Sequence, residues 1–272
     1  MKVMLAEKQG FCFGVKRAID CVLKLQSPVN TLGPLIHNPQ FITELEKKGI
    51  KSVKGIKEID SDTIIIRTHG LSDKLIEELK KKNLKIIDLT CPFVKKVQNY
   101  AKELEKKGYQ VIIVGEKGHP EVQGIKENLR TAIVINSIEE AKQLPKFQKI
   151  GIVAQTTQQF DNLVKIGEEL KQNASEIKLM NTICNATQER QRAALDVAKM
   201  VDIMIVVGGY NSANTKQLAN ICSSIVETKQ IETEAELQKS WFKNKKIAGI
   251  TAGASTPESI IKKVMKKIEL IQ

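Results

Sequence analysis

Three cysteines, Cys12, Cys91 and Cys184, stand far apart in a 272-residue chain, each just ahead of an amphipathic stretch. No two cysteines are spaced Cys-x-x-Cys, so zinc ribbons, thioredoxin-like redox sites and ferredoxin-type runs have no support. Any metal here must draw its ligands from distant segments. Three thiolates can hold zinc, although catalytic zinc with three cysteines and no histidine is unusual. They can also hold a cubane iron–sulfur cluster, which normally takes four cysteines, so that one iron keeps an open position for a substrate oxygen. Lewis acidity and electron supply at one atom suit removal of a hydroxyl group, by reduction or by dehydration. The other two cysteines, Cys21 and Cys222, fall inside helical stretches and read as small core residues.

The three histidines of the chain, His37, His69 and His119, all lie in loops beside glycine or proline. Corresponding loops elsewhere carry Thr156, Asn214 and Ser255. Imidazole, hydroxyl and amide groups all donate hydrogen bonds to phosphate oxygens. The segment from Gly208 to Thr215 is similar to a phosphate-cradling loop at a helix start. Neither Gly-x-x-x-x-Gly-Lys-Ser/Thr nor Gly-x-Gly-x-x-Gly occurs, which leaves nucleotide cofactors unsupported.

Elements that would place these residues together emerge when the chain is aligned on its cysteines. Short β-branched runs alternate with helical stretches, the pattern of an α/β protein with parallel sheet. Residues 3–6, 86–89 and 177–180 read as strands leading to Cys12, Cys91 and Cys184. Apolar residues spaced three and four apart follow each one: Val15, Ala18, Ile19; Val94, Val97, Ala101; Ala194, Val197, Ala198. Between the cysteines, a first strand ends at Gly33, Gly115 or Gly208, and a second covers residues 63–66, 150–153 or 247–250. The third copy runs out of chain before its cysteine strand, and residues 3–6 supply the missing piece. The expectation is three similar small parallel-sheet units in a pseudo-threefold ring around a central iron–sulfur cluster. Their bounds would be 13–91, 92–184, and 185–272 plus 1–12. Ligands gather at the carboxyl ends of parallel strands, so all nine loops would converge on the centre.

Composition bounds the rest. Forty-three basic and 31 acidic residues give a net charge of +12, much of it lysine on helix faces. Such a surface is either simply solvated or attracts an acidic partner or anionic substrate. Few aromatics and no recognition motif argue against nucleic acid. No apolar run is long enough for a membrane span, and the first residues do not form a signal peptide. Five cysteines, an odd number, argue against a disulfide framework, and the chain reads as cytoplasmic.

Several segments carry a resemblance. Gly10-Phe11-Cys12-Phe13-Gly14, Ile36-His37-Asn38, Thr68-His69-Gly70, Thr90-Cys91-Pro92, His119-Pro120-Glu121, Gln155-Thr156-Thr157, Thr182-Ile183-Cys184, Asn211-Ser212-Ala213-Asn214 and Thr251-Ala252-Gly253-Ala254-Ser255 occur in that order. Together they resemble the 4-hydroxy-3-methylbut-2-enyl diphosphate reductase family. The resemblance implies reductive removal of an allylic hydroxyl, giving isopentenyl and dimethylallyl diphosphate in the last step of the non-mevalonate pathway. It also implies one 4Fe–4S cluster per chain, electrons from ferredoxin or flavodoxin, and a three-lobed α/β fold. Carried over by motif, Cys12, Cys91 and Cys184 would be cluster ligands and Glu121 the proton-supplying acid. His37, His69, His119, Ser212, Asn214 and Ser255 would hold the diphosphate, with Thr156 near the reacting hydroxyl. Ala213 departs from the family, many of whose members have a second serine there; its backbone N–H remains available to phosphate. A quinolinate-synthase-like dehydratase is the alternative enzyme class. A non-enzymatic iron–sulfur sensor or carrier is a further alternative, which the six polar loops disfavour.

Overall fold

The computed structural model describes residues 1–26 and 28–271. The chain opens with β1 (Lys2–Leu5), α1 (Phe13–Val22), β2 (Val29–Leu32), α2 (Pro39–Lys47), β3 (Ile50–Val53), β4 (Thr63–Ile66), α3 (Asp73–Lys80) and β5 (Lys85–Asp88). It continues through α4 (Pro92–Lys106), β6 (Gln110–Val114), α5 (Pro120–Lys126), β7 (Ala132–Ile135), α6 (Ile138–Lys142), β8 (Phe147–Ala154), α7 (Phe160–Leu170) and β9 (Ala174–Leu179). Last come α8 (Asn185–Ala198), β10 (Ile203–Val207), α9 (Ala213–Ser223), β11 (Thr228–Ile231), β12 (Ile247–Ala252) and α10 (Glu258–Glu269).

Among the described residues the strands form three separate four-stranded sheets, ordered β5-β4-β2-β3, β9-β8-β6-β7 and β1-β12-β10-β11. All strand pairs are parallel, and the three orders are the same when each is read from its cysteine-leading strand. Strand β1 takes the place that β5 and β9 hold in the other sheets, pairing Val3 with Ala248 and Leu5 with Ile250. This is the α/β architecture expected from the alternating pattern, with the cysteine-leading strand that the third copy lacks supplied by residues 2–5.

The repetition extends to single hydrogen bonds. Past the first strand of each sheet, the N–H groups of Gly33, Gly115 and Gly208 donate to the carbonyls of Val53, Ile135 and Ile231 at 2.8, 2.9 and 2.8 Å. Past the second, Gly70 bonds back to Arg67, Gln158 to Gln155 and Thr256 to Gly253, each at 3.0 Å. Three four-residue turns of one kind therefore sit at equivalent strand ends.

The chain divides into two compact units. One comprises Met1–Asp20, Ile36–Lys47 and Asn185–Gln272, the other Cys21–Leu35 and Lys48–Cys184. The first holds the β1-β12-β10-β11 sheet. Every residue of β10 is buried, as a central parallel strand covered on both faces requires. Ile203, Ile205 and Val207 pack with Ile261, Val264 and Ile268 of α10, and Met204 and Val206 pack with Ala194, Val197 and Leu218 of α8 and α9. The second unit holds the other two sheets. In β6, Ile112 and Val114 pack with Leu163 and Ile166 of α7, whereas Val111 and Ile113 pack with Val97, Ala101 and Leu104 of α4. Residues 13–20 and α2 belong to the compact unit that holds the β1-β12-β10-β11 sheet. Gln272, the last residue of the third expected unit, lies outside the described residues. Among the described residues, no helix is long and apolar enough to cross a membrane.

Candidate active site

Each of the three cysteines lies directly before a helix, and its N–H is tied to the turn beyond the second strand of a sheet. Cys91 donates to the Thr68 carbonyl at 3.0 Å, Cys184 to that of Thr156 at 3.0 Å, and Cys12 to that of Ala254 at 3.2 Å. Those acceptors occupy the same position in the three equivalent turns. The carbonyls of Cys12 and Cys91 accept the first helical bonds, from Lys16 at 2.9 Å and Lys95 at 3.0 Å. The Val15 N–H points at the Cys12 sulfur, 3.5 Å away. Helix-start N–H groups favour negative charge, and thiolate is the form of cysteine that binds metal. All three thiols are half-buried and none of the chain's five cysteines is in a disulfide. Cys222 is different: it lies in the core against α8, and burial pushes its thiol up to about 12. Cys21 is half-buried near the far end of α1. Three half-buried thiols at matching helix starts fit an iron–sulfur cluster; Cys222 does not.

In the larger compact unit, the sequence His119-Pro120-Glu121 begins α5. Proline suits a first helical position because it lacks the N–H that would go unpaired there. His119 caps the helix, its Nδ1 accepting the Glu121 N–H at 3.2 Å, which leaves Nε2 as the protonated, donating nitrogen of a neutral ring. The rings of His119 and His69 meet edge to face with centroids 5.3 Å apart. Glu121 is 2% exposed, and its carboxyl accepts both the Thr156 N–H at 2.6 Å and the Thr156 hydroxyl at 2.7 Å. Burial pushes this acid up to about 7, against the pull of the two Thr156 bonds. Thr156 therefore faces the acid with its two donors and the Cys184 N–H with its carbonyl.

Gln155 supports this pair. Its Oε1 accepts the Glu116 N–H at 2.9 Å and its Nε2 donates to the Thr157 hydroxyl at 3.0 Å, tying the loop before His119 to the Thr156 turn. Gly115 makes room for it, since a Cβ there would sit 2.8 Å from both Cβ and Oε1 of Gln155. In the equivalent turn of the first sheet Arg67 stands where Gln155 does, its guanidinium lying over Gly33.

In the other compact unit, the Ser255 hydroxyl donates to the His37 carbonyl at 3.2 Å. Ser212 caps α9, accepting the Thr215 N–H at 3.3 Å, so its own hydroxyl proton stays available to a ligand. Ala213 is buried and brings no polar side-chain atom. Asn214 is 4% exposed, yet neither its amide nitrogen nor its oxygen has a hydrogen-bond partner among the described residues. A buried amide left so is expensive, and a bound polar ligand is one way to satisfy it.

Hydrogen bonding refines the equivalence of the loops. Thr157, not Thr156, is the counterpart of His69 and Ser255, and the helix caps Asn38, His119 and Ser212 correspond. The loop before Asn38 is one residue longer than those before His119 and Ser212, and β8 ends at Ala154, one residue beyond the expected strand end at 153, which shifts a count made from the strands. Gln155 and Thr157 went unassigned in the sequence reading, although the Gln-Thr-Thr run was visible.

With this geometry in place, the comparisons with known proteins are specific. The sequence profile of the LytB protein family matches residues 3–269. A Geobacter metallireducens protein named 4-hydroxy-3-methylbut-2-enyl diphosphate reductase is 48% identical over 276 residues, covering 100% of this chain and 98% of its own length. A Campylobacter hominis protein of the same name is 48% identical over 272 residues, with 98% of each chain covered. Among solved structures, one of (E)-4-hydroxy-3-methyl-but-2-enyl diphosphate reductase, described as the terminal enzyme of the non-mevalonate pathway, is 43% identical with a TM-score of 0.71 and 99% of both chains covered. The Plasmodium falciparum reductase is 30% identical with a TM-score of 0.90, over 99% of this chain and 87% of that one. Matched almost from end to end in sequence and fold, the chain belongs to the LytB protein family.

Proposed function

We propose that this chain is a 4-hydroxy-3-methylbut-2-enyl diphosphate reductase that removes the allylic hydroxyl of its substrate to give isopentenyl and dimethylallyl diphosphate. The reaction takes two electrons and two protons, breaks the C–O bond, and releases water. The observation that carries the reading is Thr156, which bonds a buried acid with its donors and the backbone of Cys184 with its carbonyl. Proton source and electron source thereby meet at one residue.

A 4Fe–4S cluster held by Cys12, Cys91 and Cys184 supplies, when bound, electrons and an iron with an open coordination position. The remaining work falls to the chain. Glu121, held near neutrality by burial, keeps a proton that the departing hydroxyl needs in order to leave as water. Thr156 fixes the orientation of that carboxyl and lies beside the reacting oxygen. His37, His69, His119, Ser212 and Asn214 donate to the diphosphate, as does Ser255 once its hydroxyl turns away from the His37 carbonyl, and Ala213 contributes through its backbone N–H at the start of α9. The unpartnered amide of Asn214 supports that assignment.

The three sheets act as three units, 13–91, 92–184 and 185–272 plus 1–12, arranged as a ring about the cluster; their shared strand order supports this. With no nucleotide motif in the sequence, electrons come from a small acidic ferredoxin or flavodoxin drawn to the basic surface. Five unbridged cysteines suit the reducing cytoplasm. The test is anaerobic reconstitution with iron and sulfide, followed by addition of the hydroxylated allylic diphosphate and a reduced viologen. Both five-carbon diphosphates should form; a fully loaded protein that forms neither would overturn the proposal.

A further inference from the structure

Arg190 lies in the second turn of α8 and is 4% exposed. A side chain this polar is seldom so deeply buried unless its donors are used. One terminal nitrogen donates to the Ala186 carbonyl in the first turn of α8 at 2.8 Å, and the other donates to the Gly10 carbonyl at 2.9 Å. The guanidinium thus staples the helix that starts just after Cys184 to the turn that ends in Cys12. Gly10 is built for this role. Its φ of +72° is a conformation other residues rarely adopt, and a Cβ there would sit 3.2 Å from Ile261 Cδ1.

The other anchors of the turn are backbone bonds along its inner edge: Gly10 N–H to Ala252 at 3.4 Å and Cys12 N–H to Ala254 at 3.2 Å. Both are longer than the 3.0 Å bonds that hold Cys91 and Cys184. The loop from Leu5 to Cys12 is also the longest of the three cysteine approaches, since two residues separate Asp88 from Cys91 and four separate Leu179 from Cys184. The turn before Cys12, whose backbone bonds are the longer ones, is braced at the Gly10 carbonyl by a charge-assisted side-chain bond, the stronger class of hydrogen bond. The planar guanidinium reaches the two carbonyls with separate nitrogens, a geometry that the single ammonium of lysine reproduces only in part.

We propose that Arg190 is a positioning residue for Cys12, fixing the Gly10–Cys12 turn so that the thiolate is presented to the cluster. The proposal rests on Cys12 being a cluster ligand, and its test separates the two claims. In the full-length protein without cluster, amide exchange is measured over residues 7–12 and over β6 in wild type, Arg190→Met and Arg190→Lys. Loss of a buried charged hydrogen bond should speed exchange at residues 7–12 by about tenfold or more in Arg190→Met and leave β6 unchanged, with Arg190→Lys between. In reconstituted protein, Arg190→Met should lose iron to a chelator about tenfold faster than wild type, with an altered electron paramagnetic resonance spectrum and partial recovery in Arg190→Lys. Unchanged exchange at residues 7–12, or equal acceleration in β6, would overturn the assignment. So would faster exchange with unchanged iron loss. If wild type takes up no cluster, the reading of Cys12 fails, and the exchange arm still decides whether Arg190 holds the turn.

Discussion

Replacing Glu121 by glutamine keeps the side-chain volume and one oxygen for Thr156 but removes the ionisable proton. The wild-type carboxyl is pushed up to about 7 from an ordinary 4.5, so about half of it is protonated at pH 7 and about a tenth at pH 8. Turnover limited by proton donation should therefore fall about tenfold per pH unit above neutrality. In Glu121→Gln it should be about 10²–10⁴-fold lower at and below pH 7, with the gap narrowing above neutrality as wild-type Glu121 loses its proton, while cluster content and substrate binding persist. Stability gives an independent check with a definite sign. The folded chain holds this proton up to about pH 7, whereas the unfolded chain releases it near 4.5. Stability present below 4.5 is therefore lost as pH rises through 7, by about 3 kcal/mol from this group. The glutamine variant lacks that slope. Single-turnover kinetics with reduced viologen and urea unfolding across pH 4–8 read the two effects. Near-normal turnover in Glu121→Gln, with chemistry shown to limit the rate, would remove Glu121 from the mechanism.

Three further outcomes are expected. Thr156→Val removes the hydroxyl bond to Glu121 and should lower kcat with little change in cluster content, while Thr156→Ser recovers much of it; identical kcat in the two would show the hydroxyl to be idle. Gly115→Ala puts a Cβ 2.8 Å from Gln155 and 2.9 Å from Val122 Cγ2. It should cost about 1–3 kcal/mol in urea unfolding, and turnover should drop because Gln155 loses its place over Glu116. Reduction by a flavodoxin or ferredoxin should slow as salt rises, since exposed charges are screened over about 10 Å at 0.1 M, while reduction by a neutral dye should not; a protein-donor rate indifferent to salt would leave the net charge of +12 as plain surface.

Much of the fold was readable because its signals are local. Buried β-branched runs such as Ile203–Val207 mark central parallel strands, and helices with one apolar face follow each cysteine. The pairing of β1 with β12 was legible only because the third copy of the repeat ran short of a strand. The cysteines and the histidine loops stood out by residue type, and Glu121 through family likeness. What stayed hidden depends on contacts between distant residues. Arg190 and Gly10 are 180 positions apart, and nothing around Arg190 in an otherwise ordinary helix announces a buried guanidinium. Gln155 looked like any polar loop residue until its amide was seen bridging Glu116 and Thr157. The one-residue offset between Thr156 and Thr157 reflects the extent of β8, which runs to Ala154 and not to 153; His69, Thr157 and Ser255 each stand third after their strands. The grouping of α2 with the β1-β12-β10-β11 sheet likewise has no local signal.

The most direct test of the account is the iron and acid-labile sulfide content of anaerobically reconstituted Cys91→Ser, measured beside wild type and Cys222→Ala. Wild type and Cys222→Ala should each carry about four irons and four sulfides per chain, and Cys91→Ser should lose most of both. Wild-type content in Cys91→Ser would contradict the claim that one cluster rests on Cys12, Cys91 and Cys184.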